Sequence, residues 1–228
     1  MTELAHSSTD YSVVESEDPE VLSRNLTSAG QLLASATVFF FLSFLFAYFY
    51  LRSVNNHHMW KPKHIDPSVT WGTIVMACIV ASAILTRLGY NDHRSDDRGA
   101  WRLKGGLALG FGLAALVLQV VGWTQQNFGP ADGGYASVFF GWTAFMFLFV
   151  LCTMYWLETT LATSIRYRGW SRGLAAVEPG EASGDPGRTG SDIRDPVSLV
   201  RTELAALSFY WTFLAGIAVV TWIVLYLV

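Results

Sequence analysis

Charged positions along this chain fall in blocks separated by long uncharged stretches. No Asp, Glu, Lys or Arg occurs in 31–51, 67–86 or 204–228, and in 105–155 Asp132 is the single exception. A membrane-crossing helix needs about 20 mostly apolar residues. Five segments meet that requirement: 30–51, 68–88, 105–123, 136–157 and 204–228. The period-two alternation of a membrane β-strand is absent. The pattern predicts an all-α fold, an integral membrane bundle of five transmembrane helices. The fourth is expected to continue as helix through 158–166, past the bilayer.

The polar blocks between these spans set the organisation and the orientation. Residues 1–28 carry Glu3, Asp10, Glu15, Glu17, Asp18 and Glu20 against Arg24, and read as an acidic tail, disordered or loosely docked. Residues 29–228 form the membrane domain, with 167–203 as a loop. Within it, Pro179-Gly180, Gly184, Pro186-Gly187 and Gly190 give 174–200 a flexible-linker composition. Five spans place the two termini on opposite sides. Of the 15 Lys and Arg, Arg52, Lys61 and Lys63 fall on one side and the other twelve on the side of the N-terminus. Basic residues near span ends mark the cytoplasmic face, so the N-terminus and the loop are expected in the cytoplasm and the C-terminus outside. The first 28 residues contain no apolar core of a cleavable signal peptide.

Composition agrees with this reading. The chain is 52% hydrophobic and 14% charged, where a soluble domain carries about 25% charged residues. A net charge of -3 gives no reason to expect a nucleic-acid partner. Cys78 and Cys152 lie inside apolar runs, where a thiol acts as a small hydrophobe.

Ionisable groups inside spans are the first place to look for membrane chemistry. The centre of every span lacks them. Haem and copper need imidazole or soft sulfur ligands, and His6, His57, His58, His64 and His93 all fall outside the spans, so no cofactor or metal is expected in this chain. Asp132 and Glu158 sit at span ends, where carboxylates face water. His57-His58-Met59 with His64 is one metal-like cluster on the outer side, but adjacent histidines lack the spacing of a strong site. A polar interfacial loop beside Trp60 is the better reading of it. A transporter would need a polar pathway, discontinuous spans or a repeat, and none is evident. Gly106 and Gly110 form a small-xxx-small surface suited to close helix packing or to a partner. Aromatic groups crowd the first span (Phe39, Phe40, Phe41, Phe44, Phe46, Tyr48), open the fourth (Tyr135, Phe139, Phe140, Trp142) and open the fifth (Phe209, Tyr210, Trp211). They read as interfacial anchors or as surfaces packed on lipid or a neighbouring subunit.

Taken in order, the segments resemble subunit III of the haem–copper respiratory oxidases, the cytochrome c and quinol oxidases, in a divergent five-helix form. Ala34-Ser35-Ala36-Thr37-Val38-Phe39-Phe40 through Ala47-Tyr48-Phe49-Tyr50 is similar to the family's Ser-Glu-x-x-Phe-Phe helix ending in Ala-Tyr-Phe. Trp60, Pro62, Pro67, Thr73 and Ser82 follow its next helix entry, and Gln119 with Trp123 resembles its Gln-x-x-Glu-aromatic end. Tyr135-Ala136-Ser137-Val138-Phe139-Phe140 with Thr143 resembles Tyr-x-Ser-x-Phe-Phe-x-x-Thr-Gly. Glu203 and Tyr210-Trp211-x-Phe213 resemble the last helix. Several polar anchors of the family are replaced: its buried Glu by Thr37, its second acid by Gly122, its paired histidines by Met146 and Phe149, and its final His and Asp by Thr212 and Ala215.

The resemblance implies a non-catalytic subunit of a bacterial terminal oxidase, in the cytoplasmic membrane, that covers the catalytic subunit and holds phospholipid. Haem and copper would reside in the partner subunits. The expected lipid- or subunit-packing residues are Phe40, Phe41, Tyr48, Gly106, Gly110, Gln119, Phe139, Phe140, Tyr210 and Trp211, of which Phe40, Phe41, Tyr48, Gln119, Phe139, Tyr210 and Trp211 would form a lipid-filled aromatic flank. A subunit-III-like accessory protein of a nitric oxide reductase is the neighbouring alternative.

Overall fold

The computed structural model of the chain describes residues 19–54, 60–62, 65–95, 97–175 and 196–228. Five helices follow one another: α1 (Pro19–Ser53), α2 (Val69–Arg94), α3 (Arg98–Thr124), α4 (Gly134–Ala175) and α5 (Pro196–Trp222), the last continuing into a π-helical turn over Ile223–Leu227. Each contains a segment long and apolar enough to cross a bilayer. The five-span reading therefore stands. The helices overrun those spans because backbone hydrogen bonding does not stop at the bilayer edge.

α1 begins at Pro19, since proline suits a first helical position whose N–H has no intrahelical partner. Residues 19–28, read from hydropathy as tail, are thus the first turns of α1. α4 has 42 residues, about 63 Å at 1.5 Å per residue, roughly twice the hydrocarbon thickness. The expected extension beyond the bilayer goes to Ala175, and α5 starts at Pro196, so both ends of the 167–203 segment are helical. α2 likewise runs to Arg94, with His93 and Arg94 completing its last turn beside the negative dipole end. His93, expected outside the spans, lies in the last turn of α2 and is buried. The Asp97 carboxylate caps α3 by accepting the Ala100 N–H at 3.1 Å.

α5 packs on α1, α2 and α4; α3 bridges α2 and α4, and α4 touches α1. The core is one cluster that includes Phe41, Tyr48, Trp101, Trp142, Met154, Leu207 and Trp211. Helix approach depends on particular glycines. A Cβ at Gly72 would overlap the Tyr226 ring, and one at Gly112 would overlap the Met154 sulfur. At Gly106 and Gly110, by contrast, a Cβ would meet nothing within 4 Å. The small-xxx-small surface of α3 therefore faces outward, and among the described residues no helix packs against it.

Candidate functional site

An α-helix returns to the same face every three to four residues. On α1 this turns Ala34, Thr37, Phe41 and Tyr48 inward, while Phe39 and Phe46 point out at 74% and 70% exposure. Half-buried Phe40 and buried Phe41 of α1 meet α4: Phe40 lies 4.9 Å from Phe145 and 5.5 Å from Phe149 between ring centroids, and Phe41 lies 5.4 Å from Phe149.

Hydroxyls hold the interior together through one repeated device. In Thr37, Thr73 and Thr143 the hydroxyl donates to the carbonyl four residues back, at 2.7–2.8 Å. Its hydrogen thus spent, each oxygen accepts a donor from another helix: Tyr210 Oη on Thr37 at 3.2 Å, Trp222 Nε1 on Thr73 at 3.1 Å and Trp123 Nε1 on Thr143 at 3.0 Å. Ser82 performs a three-helix version. Its hydroxyl donates to the Ala108 carbonyl of α3 at 2.6 Å and accepts Trp211 Nε1 of α5 at 3.1 Å. Each link satisfies an indole or phenol that the membrane interior would otherwise leave without a partner.

The two ends of the bundle are closed differently. On the side of the α3–α4 turn, Trp60 is buried edge-on to Tyr48 at 5.1 Å and to Tyr135 at 5.8 Å between centroids, and its carbonyl accepts the Tyr135 N–H at 2.9 Å. The Tyr135 hydroxyl in turn donates to the Leu225 carbonyl at 2.5 Å. Lys61 pairs with Asp66 at 3.2 Å and lies 5.1 Å over the Tyr135 ring. Asp132 is exposed and accepts the Gly129 N–H at 2.6 Å, a turn-shaping role. On the opposite side, Trp101 Nε1 donates to Ser164 Oγ at 3.0 Å, its ring faces His93 edge-on, and Lys104 pairs with Asp92. Glu203 accepts Trp156 Nε1 at 3.3 Å. Glu158 is exposed on α4.

Phe41, Tyr48, Phe139, Tyr210 and Trp211 are buried in the chain's own core, and Phe41 and Tyr210 each also line an open apolar groove on its surface. Phe41 and Tyr48 share a face of α1 with Ala34 and Thr37, and Phe139 shares one of α4 with Ala136 and Thr143. Phe40 and Phe140 are half-buried against that core. Gln119 lines a small cavity of about 40 Å³ with Thr143, Met146 and Thr221. Only Gly106 and Gly110 remain on the outer surface. Of the family-anchor positions, Thr37 makes the tie to Tyr210, Gly122, Met146 and Ala215 are buried, and Thr212 faces outward. His57, His58, Met59 and His64 lie outside the described residues. Among the described residues no group of three metal-ligating side chains occurs.

The family model for cytochrome c oxidase subunit III matches residues 16–172, more than half of the chain. The chain belongs to that family. No curated protein matches it. Membership makes it a subunit III of the haem–copper oxidases, a multi-pass membrane component of the respiratory chain that associates with other oxidase subunits. The matched stretch covers α1 to α3 and most of α4; α5 lies beyond it, yet it packs on three of those four helices.

Sequence reasoning missed the ties made by Thr73, Ser82, Thr143, Trp123 and Trp222 in this subunit III. A signal was available. Serine and threonine within apolar runs and tryptophans well inside a span ask for partners, but nothing in one dimension pairs them.

Proposed function

We propose that the chain is the non-catalytic subunit III of a bacterial terminal oxidase that reduces oxygen, packing on the catalytic subunit and holding phospholipid. Haem and copper would be carried by the partner subunits, with none in this chain. The observation that carries the reading is the filling of the interior. Where the family places buried carboxylates and histidines, this chain has Thr37, Gly122, Met146 and Phe149, and the neighbouring side chains pack those positions or bond to them. Such an interior supports a role in helix packing.

Deletion should therefore leave the first turnovers of the complex largely intact while shortening its active lifetime under sustained turnover. The measurement is oxygen consumption by purified complexes with and without the subunit, followed until activity decays. Loss of the initial rate with metals still bound would assign this chain a direct catalytic part. Consumption of nitric oxide in place of oxygen would move the complex to the reductase reading.

The orientation is part of the same proposal, resting on the twelve-to-three distribution of basic residues. With Cys78 and Cys152 replaced, a cysteine at Asn127 should react with an impermeant thiol reagent added to intact cells, and one at Ser183 should not. The reverse pattern would invert the topology.

A further inference from the structure

The cavity of about 40 Å³ lies inside the bundle, between α2, α3, α4 and α5. Three polar side chains line it, each from a different helix: Gln119 of α3, Thr143 of α4 and Thr221 of α5. At 1.5 Å per residue they stand about 8, 14 and 9 Å in from Thr124, Gly134 and Leu227. All three therefore sit within the membrane-crossing part of their helices.

Thr221 departs from a rule that the other buried threonines follow. Thr37, Thr86, Thr143, Thr153 and Thr160 each donate the hydroxyl hydrogen to the carbonyl four residues back, at 2.7–2.9 Å. Thr221 is the sixth buried threonine among the described residues, at 6% exposure, and its Oγ1 meets no hydrogen-bond partner there. A hydroxyl that forgoes the nearest carbonyl inside a membrane is costly unless something else bonds it. Gln119 poses the same demand on a larger scale. Its carboxamide brings two donors and an acceptor into a span, and among the described residues no hydrogen bond joins it to another group. Thr143 has spent its hydrogen on Phe139 and accepts Trp123 Nε1, which leaves its oxygen one further lone pair.

Volume and charge say what these groups share. A water needs about 10–15 Å³ of such space and two to four polar partners, so 40 Å³ accommodates two or three. No Asp, Glu, Lys, Arg or His lines the cavity, which leaves an ion without a counter-charge. An acyl chain or an aromatic ring is too large for it.

We propose that this cavity binds a small cluster of ordered waters, hydrogen-bonded between Gln119, Thr143 and Thr221, that ties α3, α4 and α5 together. One water donates to the remaining lone pair of Thr143, while Gln119 and Thr221 each donate or accept. Direct ties such as Thr37 to Tyr210 need two side chains within reach of one another; here water spans the gap.

The test is X-ray hydroxyl-radical labelling of the purified oxidase complex, read by mass spectrometry as a function of dose. Radicals form from water where it is bound, so a side chain beside bound water is oxidised even when bulk solvent cannot reach it. Met146 and Met154, 6% and 2% exposed, are both on α4, but Met146 lines the cavity and Met154 packs beside Gly112. Met146 should gain oxygen with dose while Met154 stays unmodified. Thr221→Val with Gln119→Leu removes two of the three polar partners and should lose the Met146 labelling, down to the level of Met154. Thr221→Val alone, a hydroxyl exchanged for a methyl, should already weaken it, and Thr221→Ser should retain it. Met146 as inert as Met154 in the parent complex would mean a dry cavity and end the proposal. Equal Met146 labelling in Thr221→Val and Thr221→Ser would trace it to solvent passing between the helices, and would overturn the site as well.

Discussion

Trp211→Ala should destabilise the folded subunit by about 3–5 kcal/mol, the cost of emptying a large aromatic site in a packed core. Trp211 has no exposed surface, and its N–H meets Ser82 Oγ at 3.1 Å where α2, α3 and α5 converge. Lipid is as apolar as the side chain, so the loss is of packing and van der Waals contact more than of hydrophobic drive. Trp211→Phe separates the contributions. It keeps most of the ring and removes the N–H, and should cost about 0.6–1 kcal/mol. Unfolding by denaturing detergent, measured on both variants in the same mild background, checks the pair. A Trp211→Ala variant within 1 kcal/mol of the parent would mean that this junction does not organise the bundle.

Gly89→Leu and Gly106→Leu should separate sharply, although both place the same side chain on a helix. A Cβ at Gly89 would stand 2.6 Å from Cε3 of Trp101 and 3.0 Å from its Cζ3. Trp101 has no exposed surface and its Nε1 is held by Ser164, so the ring has little freedom to yield. Overpacking costs about 1–3 kcal/mol and sometimes more, against a helix-propensity gain of under about 1 kcal/mol on replacing glycine. Gly89→Leu should therefore fold poorly. Gly106→Leu meets open space and should leave the isolated subunit as stable as before or slightly more so. Thermal unfolding of the detergent-solubilised subunit decides the contrast. Equal damage from the two would mean that α3 packs through Gly106 after all. Failure of Gly106→Leu to join the oxidase complex, with the subunit itself intact, would identify that surface as a partner contact.

Hydropathy alone specified the number of helices, because in a bilayer a charged position is expelled from the span wherever it occurs. The family resemblance was also legible, carried by motifs such as Tyr135 to Thr143, which depend on residue order and not on fold geometry. Helix ends were less so: His93 and residues 19–28 are helical because hydrogen bonding continues where the apolar run has stopped. Which face of each helix turns inward was decided only in three dimensions. Phe39 and Phe41 are chemically identical and two residues apart, yet one is exposed and the other buried, since only the second shares a face with Ala34 and Thr37. In the same way Gly106 and Gly112 are both glycine on α3, but Met154 of α4 fills the space beside the second alone. In a membrane both faces of a helix are apolar, so hydrophobic periodicity carries almost no information about burial. Complementary shape and the pairing of Trp101, Trp123, Tyr210, Trp211 and Trp222 with hydroxyls on other helices supply it instead.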